Sequence, residues 1–400
     1  MTIMLTHMGL RPPPLTLYLH IPYCLHKCPY CDFASSAVTP IPEQRYLTAL
    51  QRELQWRRQQ LADDPRPLAT IFLGGGTPSL FSSATIETTL ATISRLWPLE
   101  NDCEITLEAN PESASPQKMR EWQQMGINRL SLGIQALDAE RLHFLERPHT
   151  LEQARQAIAH LKQTGFARFN LDLIYATPGQ TAAAWEKELT EAMAWEPHHL
   201  SCYQLTLEPG TPFFQRQQGG AWQPMTEEDE SRLFQQTRQQ LTAGGWQPYE
   251  TSNFAKPGHH CRHNCNYWSF GDYLGVGAAA HGKWTDDLGR IWRSENPASA
   301  THYMTLMEKE PPDDTQHPIL HHRLITPTEA GRELLLMGLR QQAGVDLTLY
   351  QQITGESLEQ CRAIPIAHLL EAGFIQRTEQ RLTLTEQGII LTDAILSRLI

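Results

Sequence analysis

Three closely spaced cysteines, Cys24, Cys28 and Cys31, follow an apolar, strand-like stretch at 15–21. Their C-x3-C-x2-C spacing supplies three thiolates, whereas a cubane iron–sulfur cluster has four irons to ligate. A site with three thiolates therefore leaves one iron open, and an open metal position is typical of catalytic rather than structural centres. Thiolates also select zinc, so the alternative is a zinc site that is completed elsewhere in the chain, but the spacing favours the cluster.

A run of three glycines at 74–76 directly follows the strand-like residues 70–73 and precedes Thr77 and Pro78. Consecutive glycines cost conformational entropy, so their presence needs a reason. A ligand that approaches the bare backbone is one such reason. The run is not a G-x-G-x-x-G fingerprint, and a tight strand-to-helix turn is the alternative interpretation.

Polar residues stand at or near the ends of successive strand-like runs: Glu108, Gln135 and Asp172. The carboxyl ends of the strands form the active face of a (β/α) barrel, so we expect these side chains to converge there. Any one of them alone is equally consistent with a polar cap on a strand end. Arg147 is either a solvated charge or a group that reaches the same mouth and binds a carboxylate bidentately.

The stretch 249–281 is polar and rich in histidine and cysteine. Its ligand-type side chains are those of His259, His260, Cys261, His263 and Cys265. The simplest interpretation is a polar loop with surface histidines. Cys261 and His263 are also ligand types for a second metal, or for completing a zinc site with the cysteine triplet. A third interpretation is haem ligation by His263, with Tyr267 and Trp268 as flat apolar contacts.

The composition is that of a globular protein. The chain has 400 residues, enough for one large and one smaller domain, and 40% of them are hydrophobic. A formal net charge of −11 argues against a nucleic-acid partner. No apolar run approaches the ~20 residues of a membrane span, and no secretory leader precedes the cysteines. We therefore expect a cytoplasmic protein whose eight cysteines are not paired in disulfides.

Strand-like and helix-like runs alternate through the first half of the chain. The predicted strands are 15–21, 70–73, 104–108, 129–134, 168–174 and 200–207, and the predicted helices are 43–60, 83–96, 116–125, 151–164, 181–195 and 227–243. This alternation predicts parallel strands joined by right-handed crossovers. A closed TIM barrel needs eight such units. The six or so units found here predict an α/β fold with a partial (β/α)6 TIM-like barrel, and a doubly wound sheet is the alternative.

The pattern divides the chain into four parts. Residues 1–14 are predicted to form an extended lead-in, 15–294 the barrel, and 295–324 a linker rich in Pro, Asp and His. Residues 325–400 form a smaller C-terminal domain in which helices precede a possible hairpin, as in a winged-helix module. The negative charge of the chain indicates that this module contacts protein rather than DNA.

The sequence resembles the HemN-like radical SAM family, and within it the HemW branch of haem chaperones. The matching runs are LYLHIPYCLHKCPYCDF, IFLGGGTPSL, EITLEANP, RLSLGIQ, FNLDLIY, YQLTLEPGTP, YETSNFAKPG and HNCNYW. The resemblance implies that Cys24, Cys28 and Cys31 bind a [4Fe-4S] cluster, and that His263 of the HNxxYW element binds haem. It also implies an S-adenosylmethionine site formed by Tyr18, Tyr30, Gly75, Gly76, Thr77, Glu108, Gln135, Arg147 and Asp172.

One departure from the oxidase branch of that family bears on function. The oxygen-independent coproporphyrinogen III oxidase carries a fourth cysteine two residues after the third, and here that position is Phe33, preceded by Asp32 as in the HemW branch. The resemblance therefore implies a haem chaperone that delivers haem to an apoprotein of the respiratory or cytochrome type. The radical SAM oxidase is the alternative. Transient contact with a membrane protein, a homodimer, and any role for Cys261 and Cys265 stay open.

Overall fold

A large mixed sheet dominates the computed structural model, which describes residues 10–61, 63–309 and 321–400. The strands are β1 Leu15–Ile21, β2 Tyr23–Cys24, β3 Ser36–Ala37, β4 Leu68–Gly75, β5 Leu99–Ala109, β6 Arg129–Gln135, β7 Arg168–Tyr175, β8 His199–Gln204, β9 Gln247–Pro248, β10 Asn253–Ala255, β11 Asp272–Val276, β12 His281–Thr285, β13 Ile291–Glu295, β14 His321–Leu324, β15 Val345–Asp346, β16 Ile375–Arg377 and β17 Arg381–Leu384.

The helices mostly cover the outer side of this sheet or build the C-terminal part of the chain. They are α1 Glu43–Gln60, α2 Ser83–Leu96, α3 Pro116–Gln124, α4 Ala139–Phe144, α5 Leu151–Thr164, α6 Ala182–Ala194, α7 Pro212–Gln218, α8 Glu227–Ala243, α9 Arg262–Trp268, α10 Ala300–Glu308, α11 Pro327–Gly338, α12 Leu347–Thr354, α13 Leu358–Cys361, α14 Ala363–Glu371 and α15 Thr392–Leu399. Short 3-10 turns lie at Pro78–Leu80, Pro111–Ser113 and Ile389–Leu391.

The parallel part of the sheet forms the predicted partial barrel. The strand order is β14-β13-β12-β11-β1-β4-β5-β6-β7-β8-β10-β9. The pairs from β11 through β1 and β4 to β8 are parallel. The strands follow one another in sequential order, as in a partial α/β barrel. This order confirms the predicted barrel and excludes the alternative, a doubly wound sheet. Beyond the six predicted strands, β11 adds a parallel strand from the stretch that we interpreted as a polar loop.

Period-2 patterning explains how β1 divides its side chains between the two faces of the barrel. Leu15, Leu17 and Leu19 are buried in the main apolar core with the helices. The alternate residues face the interior, where Thr16 Oγ1 accepts a hydrogen bond from Asn266 of α9 at 3.1 Å. The barrel interior is therefore polar, and polar groups within it must find partners.

Local signals fix the helix ends well. Thr150 and Gln153 form a capping box at the start of α5, and Gly165 ends that helix with a left-handed φ of 70°. The predicted bounds of α1, α2, α5 and α8 are the observed ones. The predicted strand 200–207 is too long, because β8 ends at Gln204 and the backbone N–H of Leu205 turns to donate to the carbonyl of Tyr175.

The C-terminal part has the predicted order of helices and hairpin. Helices α11 to α15 surround a small antiparallel sheet of order β15-β17-β16, with its own apolar cluster. Phe270 and Ile291 of the barrel belong to that cluster, so the two parts pack directly on each other. In the described residues no helix is both long and apolar enough for a bilayer crossing.

The stretch 295–324 differs from the predicted linker. It contains α10, whose side chains Tyr303, Met304 and Met307 are buried in the main core, and also strand β14. Burial of an amphipathic face holds α10 against the barrel, and the high Pro and Asp content that suggested a linker falls mainly at 310–320, outside the described residues. In the lead-in, residues 1–9 also lie outside them, and 10–14 form neither helix nor strand.

Candidate functional site

The cysteine loop follows β1 directly, and its thiols are shielded from water. Cys28 is buried, Cys24 and Cys31 are half-buried, and none of the three forms a disulfide. Burial raises the pKa of the Cys24 and Cys31 thiols above its usual value. Because burial disfavours three thiolates in one place, they need positive charge nearby, which bound metal supplies.

The glycine loop after β4 is anchored to the cysteine loop. The N–H groups of Gly76 and Thr77 donate to the carbonyls of Ile21 and Tyr23 at 2.8 and 2.7 Å. A Cβ on Gly76 would lie 2.7 Å from the Tyr23 carbonyl oxygen. Gly75 has a φ of +112°, which favours glycine. At Gly76 the close neighbour that excludes a side chain is therefore the protein's own backbone. The sequence had suggested a ligand as the reason.

A cavity of about 530 Å³ opens at the carboxyl ends of the parallel strands. The cysteine loop and the glycine loop form one side of it, and the ends of β5 to β8 form the other. The predicted site residues that line it are Cys24, Cys28, Tyr30, Cys31, Gly75, Gly76, Thr77, Glu108, Gln135, Arg147 and Asp172. The structure thus brings together residues spread over 149 positions, from 24 to 172 inclusive.

Two half-buried carboxyl groups, those of Glu108 and Asp172, give the cavity its electrostatic character. Burial, and then the nearby Asp172, raise the pKa of Glu108 to about 8, while Glu108 accepts a hydrogen bond from the N–H of Gly75 at 3.1 Å. Burial also raises the pKa of Asp172, which accepts hydrogen bonds from Ser131 and Asn170. Paired carboxyls in a low dielectric favour a cation beside them.

Arg147 does reach the mouth, but its contacts differ from the prediction. Instead of binding a carboxylate bidentately, its guanidinium donates to Cys28 Sγ at 3.3 Å, to Asn110 Oδ1 at 2.7 Å and to the Gly133 carbonyl at 3.3 Å. These acceptors lie on three different segments, the cysteine loop, the residue after β5, and β6, and none of the hydrogen bonds from this guanidinium to the described residues goes to a carboxylate. Its charge therefore stands beside one of the three cysteine sulfurs.

Tyr18 was predicted at the S-adenosylmethionine site, but it does not line the cavity. It lies within β1, three residues before the strand ends at Ile21, so its side chain stays below the mouth inside the barrel. Its hydroxyl shares a hydrogen bond of 3.0 Å with His20 Nδ1. Tyr18 therefore contacts the side chain that packs under Gly75.

Sequence comparisons identify the relatives of this chain. The radical SAM superfamily matches residues 18–192, and the HemN C-terminal domain matches 325–391. The protein named heme chaperone HemW of Haemophilus influenzae is 44% identical over 70% of this chain and 73% of its own length. Its namesake in Bacillus subtilis is 33% identical over 94% of this chain and 96% of its own length.

The chain belongs to the HemW family. A solved structure shares the fold: the radical SAM enzyme coproporphyrinogen III oxidase (HemN) from Escherichia coli has a TM-score of 0.81 and 22% identity, and the match covers 97% of this chain and 90% of that one. The superfamily match implies a [4Fe-4S] cluster and S-adenosylmethionine.

The chemistry of the cavity fits both groups that the radical SAM superfamily match implies. A single zinc ion needs its sulfurs about 2.3 Å from one point, and no three His, Cys, Asp or Glu groups gather in that way within the described ranges. The thiolates of a cubane bind different irons, so they stand further apart. The half-buried Glu108 and Asp172 suit the cationic ammonium and sulfonium groups of S-adenosylmethionine. A second metal at Cys261 and His263 lacks a third ligand among the described residues.

The HNxxYW element of the HemW family forms α9, which fills the opposite end of the barrel. His263 is 1% exposed. Its Nδ1 shares a hydrogen bond with Thr70 Oγ1 at 2.6 Å, its Nε2 shares one with the Tyr267 hydroxyl at 2.8 Å, and its ring stacks on Phe72. Burial lowers its pKa to about 3. Contrary to expectation, neither ring nitrogen is free to face a porphyrin, so haem ligation by His263 stays a prediction that requires these bonds to break.

Replacing His263 with alanine is expected to lower the free energy of unfolding by about 2–4 kcal/mol. The change removes two buried hydrogen bonds and a stacked ring, and it leaves the hydroxyls of Thr70 and Tyr267 without their partner. Urea unfolding measures the effect. His302→Ala, on the exposed face of α10, is the control and should stay within about 0.5 kcal/mol of the parent. An equally small change in the free energy of unfolding of His263→Ala would contradict the interpretation that α9 packs tightly into the end of the barrel.

Several cavity residues were missed from the sequence. They include Asn110, Glu112, Gly133, Tyr203 and Gln204. Asn110 donates to Thr77 Oγ1 at 3.1 Å and accepts from Arg147, so it joins the glycine loop to the guanidinium. Its signal was its position, one residue past the end of β5 and directly before a proline. Tyr203 and Gln204 became visible as mouth residues only when the end of β8 was known.

Proposed function

We propose that this chain is a haem chaperone: it binds haem, holds a [4Fe-4S] cluster and S-adenosylmethionine, and passes the haem to an acceptor apoprotein. The observation that carries the proposal is its identity of 33% to the Bacillus subtilis heme chaperone HemW, which extends over 96% of that protein. Matches of this length include the cysteine loop, the barrel and the C-terminal domain together.

The residues of the cavity have different roles in this proposal. Cys24, Cys28 and Cys31 would hold the cluster, which when bound offers an open iron and one-electron chemistry. Glu108 and Asp172 would hold the cationic end of S-adenosylmethionine. Arg147 donates to Cys28 Sγ, and a hydrogen bond to a ligating sulfur stabilises the more negative state of a cluster.

The S-adenosylmethionine site that we propose keeps the predicted set without Tyr18 as a contact. Tyr30, Gly75, Gly76, Thr77 and Gln135 line the cavity with the charged residues. Gln135, at the end of β6, has a backbone φ of 61°, which is unusual for a residue other than glycine. It lines the cavity, where its side-chain amide would face the ligand.

The acceptor that we propose is an apoprotein of the respiratory or cytochrome type, and the encounter takes place in the cytoplasm, with transient contact where that acceptor is a membrane protein. A nucleic-acid partner does not suit a chain with a net charge of −11. The homodimer stays a prediction.

The oxidase alternative is the weaker candidate. The fold shared with HemN shows architecture alone, and position 33, where the resemblance places the fourth cysteine of the oxidase, holds an exposed phenylalanine. An anaerobic assay of the cluster-loaded protein with coproporphyrinogen III separates the two functions. We expect no vinyl product, and accumulation of the divinyl product would support the oxidase.

A haem-transfer experiment tests the proposal directly. The purified chain is loaded with haem, separated from free haem, and mixed with an apocytochrome of b type. We expect the chain to bind haem saturably. The holocytochrome spectrum should then appear faster with the haem-loaded chain as donor than with haem bound to albumin and no chain present. Absence of saturable haem binding, or transfer no faster than from albumin, would overturn the proposal.

A further inference from the structure

Exposed apolar side chains cluster with an exposed histidine at the mouth of the cysteine cavity. Leu25 is 57% exposed and Phe33 60% exposed. The His26 side chain is 45% exposed. All three line the cavity. We propose that haem docks at this rim with His26 as its axial ligand, an inference that rests on the proposed haem-chaperone function.

His26 has the accessibility that an axial ligand needs. Its Nε2 lies 3.8 Å from Glu146 Oε2, too far for a hydrogen bond, and both groups are well exposed. Two other histidines at this end of the barrel are already hydrogen-bonded: His20 Nε2 bonds the Ala34 carbonyl, and His149 Nε2 bonds the Ile134 carbonyl. Among the described residues that line the cavity, His26 is the one imidazole.

The apolar rim suits the face of a porphyrin. Leu25 and Phe33 stand on the cysteine loop, and Tyr203, 41% exposed at the end of β8, lines the same cavity. Large apolar side chains grouped in this way on a soluble surface mark binding sites rather than random exposure. Each would contribute through apolar area removed from water. A small polar ligand would leave this area exposed, whereas a flat macrocycle covers it.

The charges around the rim set the orientation of the propionates. Lys27 is exposed beside His26, and its Nζ, which donates to the Phe33 carbonyl at 3.0 Å, keeps further donor capacity. Asp32 and Glu208, with Glu112 deeper in, line other parts of the cavity and repel carboxylates. The propionates therefore point toward Lys27 and outward to water, away from the acidic lining.

The position of His26 between two of the cysteines couples haem binding to the cluster. Cys24 and Cys28 flank it in sequence, so whatever orders the cysteine loop also fixes the imidazole. We expect cluster loading to tighten haem binding by reducing the entropy lost when the loop is ordered. Haem ligated by His263 would show no such coupling, because α9 lies at the other end of the barrel.

Haem titrations of four proteins test the site: the parent, His26→Ala, His263→Ala and Phe33→Asp, each with and without the cluster. We expect His26→Ala to weaken haem binding at least about tenfold, or 1.4 kcal/mol, and to change the Soret band and the ligand-field signals of the ferric haem. Added imidazole should restore those signals in His26→Ala. Phe33→Asp should weaken binding while keeping the parent's ligand-field signals.

The outcomes separate this inference from the function on which it rests. Haem affinity and spectra of His26→Ala equal to those of the parent would overturn the rim site but leave the chaperone function standing. Loss of the axial signal in folded His263→Ala alone would place the ligand in α9 and overturn the rim site in the same way. If the parent itself binds no haem, the proposed function fails. Since His26 is exposed, His26→Ala should fold, and circular dichroism checks this.

Discussion

Alanine at Cys24, Cys28 and Cys31 together is expected to leave the protein with less than about a tenth of the parent's iron and sulfide after anaerobic reconstitution. Cubane irons in proteins are bound mainly by thiolates, and among the described residues no other cysteine lines the cavity. The measurement is iron and sulfide per chain, together with the visible charge-transfer absorption. Haem binding by the same variant shows whether the two sites depend on each other.

Cys361→Ala provides the matched control for that experiment. Cys361 is a half-buried, free thiol in the C-terminal domain, remote in sequence from the loop. It should retain the full iron content. If the triple variant also retained its iron, the cluster would sit elsewhere, and the function of the cavity would have to be rethought.

Glu108→Gln is expected to weaken S-adenosylmethionine binding by about 10–100-fold, because a buried charge-assisted contact to a cation is worth about 1.5–3 kcal/mol. In the free protein the pKa of Glu108 is raised to about 8, so most of the population is protonated at neutral pH. A cationic ligand selects the ionised form. The parent's affinity should therefore rise roughly twentyfold between pH 6.5 and 8.5, as calorimetric titration at several pH values would show, whereas that of Glu108→Gln should stay flat.

The same pKa predicts the sign of a stability change in the ligand-free protein. Because the folded carboxyl has a raised pKa, the native state binds more protons than the unfolded state between the ordinary carboxyl value and about 8. The free energy of unfolding should therefore fall as pH rises through that window, and Glu108→Gln should reduce the slope. Glu87→Gln, on the exposed side of α2, is the control. It should leave unchanged the dependence on pH of both the free energy of unfolding and the affinity for S-adenosylmethionine. A parent affinity independent of pH would contradict the assignment of Glu108.

The barrel and most of its cavity were predictable because their signals are local. Period-2 and helical patterns gave the exact bounds of β1 and α5, and parallel strands must bring their carboxyl ends to one edge. Glu108 and Gln135 therefore meet the cysteine loop regardless of loop detail. Strand β11 was not predicted, since five residues with a glycine in fourth place carry little periodicity.

Side-chain direction was less predictable than position. Tyr18 and His263 both bear groups that suit a ligand, but alternation along β1 and the packing of α9 turn them into the barrel. Arg147 was placed correctly at the mouth, while its partners depended on Asn110, which follows β5, and Gly133 of β6. His26 went unnoticed because a histidine within a cysteine loop has no distinctive spacing.

The central claim is a cluster with one open iron facing the cavity, and Mössbauer spectroscopy of protein reconstituted with 57Fe tests it most directly. Spectra are recorded with and without S-adenosylmethionine. We predict a subsite of one iron in four whose isomer shift rises when S-adenosylmethionine is added, and no such response in Glu108→Gln at the same concentration. Four irons that respond identically, or not at all, in a protein that binds S-adenosylmethionine would contradict the account.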